Sequence, residues 1–181
     1  MGELIFKRGE TAYIAQIDIA GPNRPGIELD TGSPISVISI PVLLSITGES
    51  LFAFRKKADA FVNKHGKLSI GVYGSEVTKV KHSFVPYLIK DITIGGGKIP
   101  YFMFWVDITK MNTSEIVPTS TLMGFDTICQ GKKSFDENDD FHMRLENLRV
   151  DTFPIRYALS NISDEIDLIQ IGENDSNVSG C

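Results

Sequence analysis

Ile27-Glu28-Leu29-Asp30-Thr31-Gly32-Ser33 constrains this 181-residue chain more than any other stretch. Ile27 and Leu29 frame a short apolar, strand-like approach, and Asp-Thr-Gly ends it in a tight turn. Ser33-Pro34 follows, and then a second apolar run, Ile35-Ser36-Val37-Ile38. The stretch therefore places a carboxylate at the end of a strand in a β-fold. Taken alone, Asp-Thr-Gly also suits a plain turn, because Asp and Gly are both turn formers and Asp can bond its own backbone.

The remainder of the first 130 residues carries the same two-residue period. Strands are expected over 11–19, 27–30, 35–38, 67–73, 76–84, 87–94, 99–107 and 122–123, with Gly95-Gly96-Gly97 as a hairpin turn. Helical spacing interrupts them over 50–65, where Leu51, Phe54, Ala58, Phe61 and Val62 recur between a capping Ser50 and a closing Gly66. Pro41 suits the first turn of a shorter helix through Ile46. Another short helix is expected to start at Gly124-Phe125-Asp126. Beyond residue 131, strand-like stretches fall at 141–148 and 152–158. Residues 162–171 either pair at an edge or hang free, and the polar 172–181 is expected to be a disordered tail.

Charge is unevenly spread. Residues 1–130 hold 13 basic and 12 acidic groups, whereas 131–181 hold 5 basic and 11 acidic ones. The acidic end reads as a solvated extension. No basic stripe with interleaved aromatics marks a nucleic-acid partner, and the densest apolar run, residues 101–106, is far too short to span a membrane. The chain opens without a secretion signal, and its two cysteines make neither a disulfide framework nor a metal-ligand pattern, so a cytoplasmic setting is expected. His65, His82 and His142 are scattered, lack ligand spacing and read as incidental. Gly95-Gly96-Gly97-Lys98 lacks the second half of a phosphate-binding loop.

A second element, Leu122-Met123-Gly124-Phe125-Asp126, gives the first its meaning. Together, apolar-Asp-Thr-Gly-Ser and Leu-Met-Gly-Phe-Asp resemble the retropepsin-like aspartic proteases, over about residues 10–130. The resemblance implies a mainly β domain spanning 1–130: a closed retropepsin-like β-barrel with a flap hairpin and one or two short helices. Residues 131–171 would be an acidic extension, either a strand at the dimer interface or a segment lying apart.

The resemblance also assigns roles. Asp30 would be catalytic, Thr31 would bond across to a second chain, and Gly32 would let backbone approach the carboxylates. Ser33 stands where retroviral relatives usually have Ala and matches the pepsin-type pattern; a hydroxyl donating to the carboxylate would favour a more acidic working range. Gly71, Val72, Tyr73 and Gly74 are the candidate flap tip, with His65-Gly66 as the alternative. Gly124 and Asp126 would be structural, opening the C-terminal helix.

With one Asp-Thr-Gly per chain, two Asp30 carboxylates must meet across a two-fold axis to form an acid–base pair. A homodimer cleaving polypeptides without metal or organic cofactor is the expected function. A non-catalytic dimerisation or peptide-binding module with the same fold is the alternative.

Overall fold

The computed structural model describes residues 2–19, 24–73, 79–113 and 120–146, and for 71–73 and 79–80 the backbone alone. Ten strands and three helices follow in chain order: β1 (Glu3–Arg8), β2 (Tyr13–Gln16), β3 (Gly26–Leu29), β4 (Val37–Ile38), α1 (Ile40–Thr47), α2 (Leu51–His65), β5 (Leu68–Tyr73), β6 (Lys79–Ile94), β7 (Gly97–Asp107), β8 (Leu122–Met123), α3 (Phe125–Ile128), β9 (Lys132–Phe135) and β10 (Phe141–Arg144). The fold is mainly β, as expected.

One mixed sheet links all ten strands in the order β5-β6-β7-β4-β8-β3-β2-β1-β10-β9. Most neighbours are antiparallel; the β3–β8 and β4–β7 pairs are parallel. The sheet does not close into the expected barrel. β5 and β9 each have one partner and form its two ends. β9 suits an open edge, since all four of its residues are exposed and two are lysines. A single bridge, Ile17 to Ile94, ties β6 to the chain just beyond β2, supported by Gly95 N–H donating to the Gln16 carbonyl at 2.9 Å.

Local chemistry accounts for the main elements. Ser39 and Ser50 cap α1 and α2 by accepting from Val42 N and Ala53 N. Gly95 and Gly96 turn β6 into β7 with φ of 54° and 81°, a left-handed pair that glycine adopts without steric cost. Two strands expected on either side of Pro86 form one continuous β6. Pairing with β5 stops at Leu68–Phe84, so past that point a missing N–H on β6's outer side breaks no ladder. β1 and β9 lie outside the stretches read as strands, and the expected strand at 152–158, the 162–171 segment and the tail at 172–181 lie outside the described residues.

β7 separates two apolar clusters by strand alternation. Phe102, Phe104 and Val106 face the larger one, with Leu4, Phe6, Ile17, Ile27, Leu43 and Phe54. Met103 and Trp105 face the other, with Ile35, Val37, Leu68 and Phe84. Truncating a fully buried aromatic such as Phe104 or Trp105 to Ala removes about 3–5 kcal/mol. The smaller cluster matters for function because Ile35, Val37 and Phe84 also line a cleft beside Asp30.

Candidate active site

β3 and β8 run side by side in the same direction, with Glu28 opposite Leu122 and Leu29 opposite Met123. Each strand then leads into one of the two sequence elements. Asp30 N–H donates to the Met123 carbonyl at 3.0 Å, and Phe125 N–H donates to the Ser33 carbonyl at 2.8 Å. These bonds lash the Asp-Thr-Gly-Ser turn to the start of α3, so elements far apart in sequence form one unit.

Ser36 and Asp126 lock that unit from below. Ser36 N–H donates to Asp126 Oδ2 at 3.0 Å, and Ser36 Oγ donates to Asp126 Oδ1 at 2.7 Å. The same hydroxyl accepts from Gly124 N–H at 3.0 Å. Both side chains are buried, where a hydrogen-bonded carboxylate is tolerated and an unpaired one is not. Gly124 cannot carry a side chain, because a Cβ there would sit 2.1 Å from the Ile35 carbonyl oxygen.

Asp30 sits differently. Its Oδ1 accepts from Gly32 N–H at 2.9 Å, while Oδ2 has no partner among the described residues. Asp30 is half-buried, and Thr31 and Gly32 are exposed at the surface. A Cβ on Gly32 would lie 3.2 Å from Asp30 Oδ1, so a side chain at that position would crowd the carboxylate. Thr31 has no hydrogen bond to another of the described residues. Phe125, beside this turn, is about half exposed.

Ser33 departs from expectation. Its hydroxyl donates to the Ile35 carbonyl at 2.6 Å rather than to Asp30. A hydroxyl has one proton to give, and the turn through Pro34 brings a backbone acceptor closer than the carboxylate.

The cleft beside Asp30 encloses about 660 Å³. Glu28, Asp30, Ser33, Ile35, Val37, Ile70, His82, Phe84 and Asp107 are among the residues that line it. His82 and Asp107 are a pair that the sequence does not single out. His82 Nδ1 lies 2.8 Å from Asp107 Oδ2, while Asp107 Oδ1 accepts from Thr109 N–H at 3.0 Å and from the Thr109 hydroxyl. Only the β6–β7 register brings these residues together, with Phe84 opposite Asp107.

The flap candidates lie on the same side of the sheet order. Gly71, Val72 and Tyr73 belong to β5, opposite Lys81, Val80 and Lys79 of β6. They form a leg of a two-stranded ribbon rather than its turn, and Gly74 lies outside the described residues. His65 and Gly66 instead end α2, with Gly66 as its C-cap.

A second groove, of about 560 Å³, lies between α2 and β6, lined by Phe54, Phe61, Lys64 and Pro86 among others. It shares no lining residue with the cleft beside Asp30. Tyr87 on its wall donates to Glu49 at 2.9 Å, and burial, aided by that carboxylate, pushes its hydroxyl up to about 12.

Among solved structures, the chain is similar to a retropepsin-like aspartic protease from Rickettsia conorii, with 13% sequence identity and a TM-score of 0.42 over 80% of this chain and 91% of that one. No protein-family model matches the sequence. No curated protein matches it either.

Proposed function

We propose that this chain is a retropepsin-like aspartic endopeptidase that works as a homodimer. The observation that carries the reading is Asp30 itself: a carboxylate on a turn fastened to a second motif, with one oxygen oriented by Gly32 N–H and the other open beside a cleft. Amide hydrolysis needs a base to activate water and an acid to protonate the leaving nitrogen. Two carboxylates in contact supply both, because repulsion keeps them from ionising together and they share one proton.

One chain supplies one such carboxylate, so a second copy must bring the other. Exposed Thr31 and Gly32, with Phe125 beside them, offer the surface on which two copies would meet. Asp126 is unsuited to be the in-chain partner, since Ser36 already engages both its oxygens. Within the dimer, one Asp30 takes a proton from the attacking water while the other protonates the departing amine. An extended polypeptide lying in the cleft is the substrate, and the β5–β6 ribbon would cover it as a flap.

Peptide-library cleavage between pH 3 and 7, for wild type and Asp30→Asn, tests this alongside light scattering for mass. Cleavage by a dimer, reduced by about 10³-fold or more in the variant, is the expected result. An obligate monomer overturns the reading. A dimer that binds peptides and never cuts them points instead to a non-catalytic binding module.

A further inference from the structure

The cleft beside Asp30 has a marked chemical bias. On β3, Ile27 points into the core, and Glu28 lies on the opposite face. Strand alternation puts Glu28 on the same side as Asp30, about 7 Å along the strand, and both line the cleft. The Glu28 carboxylate has no hydrogen-bond or ion-pair partner among the described residues. No lysine or arginine is among the described residues that line the cleft.

His82 also lines the cleft. Asp107 Oδ1 is occupied by Thr109, and its Oδ2 faces His82 Nδ1. An ionised carboxylate can only accept, so Nδ1 carries the hydrogen. Nε2 has no partner among the described residues. Glu28 and Asp30 thus present acceptors to whatever enters.

We propose that Glu28 is a specificity-determining residue of this cleft, selecting peptides with a lysine or arginine side chain close to the bond to be cut. The inference rests on the reading of the cleft as a peptide-binding active site. In an extended substrate, side chains on one face also recur about every 7 Å. A residue one or two positions from the bond held at Asp30 therefore reaches Glu28. A cation there gains a carboxylate otherwise left unpaired. An acidic side chain in the same place meets like charge.

The test separates recognition from catalysis. Labelled octapeptides identical except for one position, holding Arg, Gln, Leu or Glu, are titrated at pH 7 by fluorescence anisotropy against the full chain carrying Asp30→Asn. At one position, Arg should bind on the order of tenfold tighter than Gln. Adding Glu28→Gln should remove that preference, and adding Glu28→Lys should turn it toward Glu. Melting temperature and light scattering establish that each variant keeps its fold and mass.

Peptides that bind with no Arg preference overturn the inference, as does a preference that survives Glu28→Lys. Wild-type cleavage of these peptides, scored separately, keeps the two readings apart. Cleavage indifferent to Arg overturns this inference and supports proteolysis. A Glu28-dependent preference with no cleavage supports the inference and overturns proteolysis. Failure of every peptide to bind overturns the inference.

Discussion

Asp30 follows β3 and Asp126 lies just beyond β8, and those two strands run parallel in register. One aspartate sits half-buried on a surface turn, with one backbone donor and an open oxygen among the described residues. The other is buried, with both oxygens taken by Ser36. Two acids at the ends of adjacent strands thus divide the labour. A carboxylate whose acceptors are engaged holds structure together, and one whose acceptors are left over is available for chemistry.

Stability measurements can break this contrast. Asp126→Ala strands two donors from Ser36 in the interior and should cost about 2–4 kcal/mol in urea unfolding. Asp30→Ala should change unfolding by less than about 0.5 kcal/mol, because it removes one partner at the surface. Equal losses in the two variants would erase the distinction.

A smaller effect sharpens the turn itself. Ser33→Ala removes the bond to the Ile35 carbonyl and should cost about 1 kcal/mol. It should leave the acidic limb of a pH–rate profile where it was. A moved limb would mean that the hydroxyl turns to the carboxylates when two chains meet.

The smallest expected effect belongs to the other end of the sheet, where ion pairs join Lys7 to the buried Asp140 and His142 to Asp136. His142 lies 2.7 Å from Asp136 and 3.2 Å from Glu3. The bond from Asp136, then that from Glu3, raises its affinity for protons. That contribution is full below the ordinary histidine range and fades as pH rises through the raised value. Asp136 is held below the usual carboxylate range chiefly by His142, and Asp140 chiefly by Lys7. Their contributions are full above that range and fade as pH falls through the lowered values. Amide protection in β10 should therefore peak at about pH 4–6.5. In His142→Gln, the loss on the alkaline side should flatten, and an unchanged alkaline limb would remove His142 from the account.

How much of this was legible in the sequence depended on distance along the chain. Ser50 and Gly66 announced α2, and Gly95-Gly96 announced the hairpin, because caps and turns are local chemistry. The Asp30 and Gly124–Asp126 elements could each be read, but the Ser36 lock between them could not, since Ser36 looked like any residue in an apolar run. The His82–Asp107 pair was hidden for a related reason: a register across two long strands created it. Leu4 and Phe6, buried on alternate positions of β1, did leave a two-residue signal, although the strand is short and heavily charged at its ends. The Ser33 hydroxyl was the hardest to foresee, because its direction depends on where a neighbouring carbonyl falls after the turn is made.

β6 is sixteen residues long, at most about 50 Å from end to end. Its later part is held by β7 against the larger core, and its first residues pair with β5 in the ribbon. The two legs of that ribbon are rooted in different ground. One runs back through Gly66 to a helix end, where glycine's backbone freedom allows rotation. The other runs straight into the core strand past Pro86, with no loop to absorb a turn. A swing of the ribbon is therefore a pivot on one leg and a bend on the other, and the bending leg carries His82 and Phe84 with it. The shape of the cleft and the position of the ribbon are set by the same length of chain.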